Sequence, residues 1–174
     1  HSQDQMLVGD DVILIAAKDR VERTLAIFGH EEQQANRVVI VGGGNIGLFV
    51  ATELESRHAR SKAKIVEHSR ERAIEIADKL DRTIILHGSA LDEEILREAD
   101  IEGVETMVAL TNDDQVNILS AVMAKRLGCQ RVLTLINNRG YSSILHSLGI
   151  DAFVNPRAVT VSKILQHVRR GRIR

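Results

Sequence analysis

The chemistry of this chain is concentrated in Arg37-Val-Val-Ile-Val-Gly42-Gly43-Gly44-Asn45-Ile46-Gly47 and in Glu67, the acidic end of the next hydrophobic run. A short β-branched run predicts a buried parallel strand, and the amphipathic stretch behind the glycines predicts a helix over 45–57. In the turn between them, Gly42 takes a backbone conformation closed to other residues. Gly44 lets a pyrophosphate approach the main chain, and Gly47 lets the helix pack closely on the strand. Unpaired amides at the helix start, together with its dipole, favour an anion there. Glu67, twenty residues beyond Gly47, sits where a carboxylate accepts bonds from the hydroxyls of an adenosine ribose. The set predicts a dinucleotide or adenine-nucleotide site; the competing reading is a glycine turn that only packs.

Other candidates fall at the ends of later hydrophobic runs. His87-Gly88-Ser89-Ala90 precedes Asp92-Glu93-Glu94. Gly88 and Ser89 either lie against an adenine, reading its edge with backbone groups, or form an ordinary turn into a helix whose acidic first turn complements its dipole. Thr111-Asn112-Asp113-Asp114 supplies a helix N-cap, and its place across the cleft from Gly42 makes Thr111 and Asn112 candidate contacts. His68 follows Glu67 at the adenosine edge. The other histidines have no partner at metal-ligand spacing. Ser69-Arg70 resembles a 2′-phosphate holder, but Glu67 would repel that phosphate, so an NAD-type ligand is favoured. Arg70 and Arg72 read as a solvated helix face pairing with Glu75; for Arg72 the alternative is a reach back to the phosphates.

These residues require elements to hold them. Strands are expected at 37–41, 63–67, 83–87, 106–110, 131–136 and 151–154, and helices at 45–57, 69–80, 92–99, 113–127, 140–148 and 157–168. Near-continuous hydrophobic strands such as Thr83-Ile-Ile-Leu86 and Met107-Val-Ala-Leu110 suit a sheet covered on both faces. The alternation predicts a Rossmann-like, doubly wound α/β fold with six parallel strands in the order 3-2-1-4-5-6 and a ligand cleft at the carboxyl ends of strands one and four. Pro156, the only proline, opens the last helix where its missing N–H costs little. Residues 1–36 stand apart: a strand at Val12–Ala16, a helix from Arg20 to Phe28 and a polar linker. One strand and one helix cannot form a core, so this segment is expected to be the tail of a preceding small β-α domain, with the nucleotide-binding domain over 37–174.

Composition narrows the function. A formal charge of −1 gives no electrostatic case for nucleic acid or an anionic membrane. Three Phe, one Tyr and no Trp leave no platform for stacking bases. The single cysteine, Cys129, follows a helix exit and reads as a structural thiol; the absence of a disulfide framework suits a reducing cytoplasm. No apolar run has the length of a membrane span.

With these residues in place, the chain resembles the regulator of potassium conductance (RCK/KTN) family, and within it the nucleotide-binding subunits of bacterial potassium uptake systems. The resemblance rests on Val41–Gly47, on Leu110-Thr-Asn-Asp-Asp-Gln-Val-Asn-Ile-Leu-Ser-Ala121, on Ala124-Lys-Arg-Leu-Gly128, and on Asn155–Ala158 and Gln166–Arg170. It covers residues 37–174 and is most specific over 108–128. It implies NAD or NADH as ligand, with ATP or ADP as alternatives, and no chemistry on the ligand. The expected contacts are Gly42, Gly43, Gly44, Asn45, Ile46, Glu67, Thr111 and Asn112. It also implies a homodimer or larger ring-like oligomer under a membrane potassium transporter subunit, at the inner face of the cell membrane. Residues 1–36 would then close a first small domain ahead of a second nucleotide-binding domain. Many relatives carry Gly-Asp at the place of Gly88-Ser89, so a carboxylate is missing from the adenine side.

Two function classes follow. A regulatory binding module needs only the cleft. An NAD-dependent dehydrogenase needs an acid–base residue at the nicotinamide and groups to hold a substrate carbonyl; the later strand ends offer Thr111, Asn112, Asn137, Asn138 and Asn155, with no His–Asp pair. Val161, Ile164, Leu165 and Val168 fall on one helical face, which packs on its own sheet or, as the resemblance implies, joins two subunits.

Overall fold

Val38, Val39, Ile40 and Val41 are all buried, which places their strand, β1 (Arg37–Val41), at the centre of a sheet rather than at its rim. The computed structural model describes residues 36–58 and 60–156. The chain divides into two units, His1–Gln34 and Ala35–Arg174, and the described residues all belong to the second. The strand and helix expected within 1–36 and the helix expected at 157–168, with its apolar face, lie outside the described residues.

After β1 come β2 (Lys62–Glu67), β3 (Ile84–His87), β4 (Thr106–Ala109), β5 (Arg131–Leu135) and β6 (Ala152–Val154). They form one six-stranded sheet in the order β3-β2-β1-β4-β5-β6, parallel throughout. The expected Rossmann-like architecture is therefore present. The helices between the strands are α1 (Asn45–Arg57), α2 (Arg70–Ala77), α3 (Glu93–Glu98), α4 (Asp114–Arg126) and α5 (Ser142–Leu145).

Side chains of a strand alternate between faces, and β1 shows what each face meets. Val39 and Val41 join Met107, Ile118, Ala121 and Val132 in one core. Val38 and Ile40 join Ala51, Ile65, Ile76 and Leu80 in the other. A sheet covered on both faces explains why β1 has no polar position between its ends. Each large aliphatic side chain so buried contributes about 1.5–3 kcal/mol. Alanines at 121 and 124, fully buried on α4, let that helix lie close to the sheet.

Two expectations give way. β3 is an edge strand, and Ile84 is 54% exposed, so the Thr83-Ile-Ile-Leu86 run does not mark a doubly covered strand. Hydrophobicity identified a strand there but not its place in the sheet. The helix expected over 140–148 is broken into a 3-10 turn at Arg139–Tyr141, the single turn α5, and a second 3-10 turn at His146–Leu148. Asn138 accepts from the Gly140 amide and caps the first turn, and Gly149 at φ 78° stops the last. A segment this short between two such stops has no room for a regular helix.

The order of the strands positions the site. From β1 the chain crosses to β2 on one side, and from β4 it crosses to β5 on the other. At such a reversal the two crossovers leave a crevice beyond the carboxyl ends of the strands.

Candidate functional site

The glycine turn bridges β1 and α1 as its spacing requires. Gly42 has φ +99°, and a Cβ there would lie 2.9 Å from Thr111 Cγ2. A Cβ on Gly47 would lie 1.9 Å from the Gly42 carbonyl oxygen. Gly44, by contrast, has nothing within 4 Å of where a Cβ would stand; this is the open side of the turn. α1 begins with Gly44 as N-cap, without a side-chain cap bond and without an acidic residue in its first turn. The other described helices longer than one turn are each capped by a side chain: α2 by Ser69, α3 by Asp92, α4 by Asp113. The amides at the start of α1 face the crevice with no acceptor supplied by a cap.

Glu67 closes β2 and is only 5% exposed. Its Oε2 accepts from the Gly43 amide at 2.7 Å and its Oε1 from the Ser69 amide at 2.8 Å. His68 Nδ1 lies 3.1 Å from Oε1, with the imidazole largely exposed. Arg72, in the first turn of α2, donates from Nε to the Gly43 carbonyl at 2.8 Å and pairs with Glu75 at 2.7 Å. Its Nη2 lies 3.4 Å from Asn45 Oδ1. The reach of Arg72 back to the glycine turn and its pairing with Glu75 therefore coexist. The hydrogen bonds from Lys79 and Arg72 hold the Glu75 carboxyl down to about 2.

Across the crevice, Thr111 and Asn112 follow β4. The Thr111 amide donates to Asn117 Oδ1 at 2.9 Å, and the Thr111 hydroxyl lies 2.7 Å from the same oxygen. Asn117 returns a bond from Nδ2 to the Thr111 carbonyl and another to the Leu135 carbonyl. It is fully buried on α4 and ties the end of β4 to the end of β5. Asp114 does similar work: its carboxylate accepts from the Asn137 and Asn138 amides. Sequence reasoning missed both residues. The signal for Asn117 was an amide on the same helix face as the buried Ile118, Ala121 and Ala124.

The crevice itself has two joined lobes that share Gly42, His68, Thr111 and Asn112. One, about 560 Å³, adds Gly44, Asn45, Ile46, Glu67, Ser69, Arg72 and Leu110. The other, about 450 Å³, is more apolar and adds Val41, Val66, Gly88, Ser89, Ala90, Asp113 and Val116. Of the twelve residues singled out in the sequence, eleven line these lobes; Gly43 is buried behind the turn. A polar lobe at the uncapped helix beside an apolar slot suits a phosphate group joined to a flat heterocycle. Gly88 is needed for packing too, since a Cβ there would meet Ile95 Cδ1 at 2.6 Å. The Ser89 hydroxyl accepts from the Leu91 amide, so the turn reading of that segment also holds.

Cys129 is a buried free thiol. Burial pushes its pKa up, and Sγ donates to the Arg131 carbonyl; it is structural. Among the described residues no cluster of His, Cys, Asp or Glu could hold a metal ion, and no helix is long and apolar enough to cross a membrane.

A doubly wound parallel sheet with a glycine turn at its switch point defines a Rossmann-like α/β domain. The TrkA-N domain family matches residues 38–156, and this chain belongs to that family. It is 58% identical over 174 residues to the Trk system potassium uptake protein TrkA of Azorhizobium caulinodans, covering all of this chain and 38% of that protein. The chain spans well under half the length of the curated relatives it matches. Among solved structures, the TrkA-N domain of the inner membrane protein ybaL from Escherichia coli superposes with a TM-score of 0.68 at 16% identity, over 76% of this chain and 96% of that one. A GsuK channel bound to NAD superposes with a TM-score of 0.60 at 17% identity, over 77% of this chain and 24% of that one. These two likenesses are of fold.

Proposed function

We propose that residues 37–174 form a regulatory module that binds NAD or NADH and reports its occupancy to a membrane potassium transporter. One observation carries the reading. Among the described residues, α1 is the helix longer than one turn whose N-terminus no side chain caps, and it opens on the polar lobe of the crevice beside the exposed side of Gly44. The pyrophosphate sits on the amides of Gly44, Asn45 and Ile46, and the adenine enters the slot between Val66, Ala90 and Val116. Thr111 and Asn112 close the opposite wall, and His68 and Ser89 stand at the rim. ATP and ADP present the same phosphate chemistry and are the alternative ligands. Structures of the same fold include a GsuK channel bound to NAD and one bound to ADP, which supports both ligand classes.

The transporter role rests on the relatives, which are named as potassium uptake proteins. It places the chain at the inner face of the membrane, joined to a membrane subunit and assembled as a dimer or larger ring. Residues 1–36 belong, in this reading, to a preceding small domain. The module performs no hydride transfer. Asp113 caps α4 and Asp114 is tied to the Asn137 and Asn138 amides, so neither carboxylate at the rim is placed for proton transfer. Calorimetry with NAD, NADH, ADP and AMP tests the binding claim, and a chain that binds none of them ends it. Sustained loss of NADH absorbance with a simple 2-oxo acid would move the reading to a dehydrogenase.

A further inference from the structure

Asp113 caps α4 with one oxygen only. Oδ1 accepts from the Gln115 amide at 2.8 Å and from the Val116 amide at 3.1 Å. Oδ2 has no hydrogen-bond partner among the described residues. The residue is exposed and lines the apolar lobe of the crevice. Its main chain is held on both sides: the amide donates to the Thr111 hydroxyl at 3.2 Å, and the carbonyl accepts from the Asn117 amide at 3.0 Å. Among the described residues that line this lobe, Asp113 carries the sole carboxylate. The Thr111 hydroxyl is engaged with Asn117. The Ser89 hydroxyl accepts from the Leu91 amide at 3.2 Å, which leaves it a proton to donate. A fixed acceptor at Asp113 and a donor at Ser89 therefore border an otherwise apolar slot. A 6-aminopurine presents a donor, its exocyclic amine, beside ring nitrogens that accept, whereas a 6-oxopurine puts an acceptor in the place of the amine.

We propose that Asp113 selects the base: Oδ2 accepts from the 6-amino group of the bound nucleotide, so the slot takes a 6-aminopurine and turns away a 6-oxopurine. The inference rests on the nucleotide reading and adds to it the source of base specificity. A hydrogen bond to a carboxylate is the stronger kind, and a carbonyl oxygen set against Oδ2 would bring two acceptors face to face. The cap makes the selection rigid. The amides of Gln115 and Val116 need an oxygen, so Oδ1 stays on α4, and the atom at the Oδ2 position is the one the base meets.

That constraint supplies the test. Asparagine caps a helix as well as aspartate does. In Asp113→Asn the side-chain oxygen must remain on the α4 amides, because Nδ2 only donates. A donor then stands where Oδ2 stood. Calorimetry is run with NAD and with nicotinamide hypoxanthine dinucleotide, its 6-oxo analogue. The parent is expected to bind NAD more tightly than the analogue by about tenfold or more. Asp113→Asn is expected to reverse the order and bind the analogue more tightly. Asp113→Ser keeps a capping hydroxyl and withdraws the second oxygen, so its two affinities should lie within about twofold of each other. Loss of the cap alone would weaken both ligands by one factor and leave their ratio unchanged. A parent that binds the two equally, or a preference for NAD that survives both substitutions, overturns the inference while the nucleotide reading stands. A parent that binds neither dinucleotide nor ADP ends both.

Discussion

A Cβ on Gly47 would stand 1.9 Å from the carbonyl oxygen of Gly42, whereas a Cβ on Gly44 would touch nothing within 4 Å. The two glycines serve different ends. Gly47→Ala must push α1 off β1 and is expected to destabilise the domain by about 1–3 kcal/mol, the usual cost of overpacking. Gly44 has φ −63°, which alanine adopts freely, so Gly44→Ala is expected to change stability by only about 0.5 kcal/mol. Its methyl occupies the place the phosphates need, so NAD affinity should fall at least tenfold. Thermal melts beside calorimetry check this separation. A Gly44→Ala variant that binds NAD as the parent does would remove the turn from the ligand site.

Asn117 is the polar centre of the opposite wall. Its four hydrogen-bonding contacts run to the Thr111 amide, hydroxyl and carbonyl and to the Leu135 carbonyl. Leucine matches it in size but leaves the buried Leu135 carbonyl and the half-buried Thr111 amide and carbonyl without this partner, at about 1–3 kcal/mol for each group that water cannot reach. Asn117→Leu is expected to lower the urea midpoint by an amount equivalent to about 2–4 kcal/mol. The variant should also weaken NAD, since Thr111 and Asn112 lose their support. A midpoint equal to the parent's would show that the strand ends hold without it.

How far the sequence carried this structure depends on the reach of each signal. α1 runs over Asn45–Arg57 as its periodicity and glycine turn predict, and strand order follows from alternation and crossover handedness. These are local or topological signals. The edge position of β3 and the broken 139–148 segment depend on what neighbours cover them, which periodicity does not encode. The same limit applies at the crevice. Spacing brought Glu67 and Arg72 to the glycine turn, but their partners are the backbone amide and carbonyl of Gly43, which leave no mark on residue identity. Asn117 was missed for that reason too: three of its four contacts are to main chain.

Glu55 gives a pH dependence whose sign follows from its contacts. From α1 it accepts bonds from the amides of Asp81, Arg82 and Thr83 and from the Thr83 hydroxyl. Burial pushes its pKa up, the Thr83 hydroxyl and the three amides push it down, and the balance lies below the ordinary 4.5. A carboxyl with a depressed folded value adds stability above the unfolded value and loses it as the pH falls through the folded one. The parent should therefore lose stability below about pH 4.5 more steeply than Glu55→Gln. At pH 7 that variant is expected to be less stable by about 1 kcal/mol. Urea titrations from pH 7 to pH 3 measure both, and parallel curves for the two proteins would show that Glu55 takes no part.

The preference between NAD and NADP is expected to turn on the charge of Glu67. The 2′-phosphate of NADP would enter the crevice beside the Glu67 carboxylate, while Arg72, the nearest guanidinium on the same wall, is already engaged with Gly43, Glu75 and Asn45. Like charges so placed disfavour the phosphate. NAD is therefore expected to bind at least tenfold more tightly than NADP, a difference of about 1.4 kcal/mol. Glu67→Gln should narrow that ratio, because it removes the charge beside the phosphate. Added salt should narrow it in the parent, as screening shortens the reach of an exposed phosphate's repulsion to about 8 Å at physiological ionic strength. Competition calorimetry at two salt concentrations measures the ratio, and tighter NADP binding in the parent would reverse the assignment of charge at this wall.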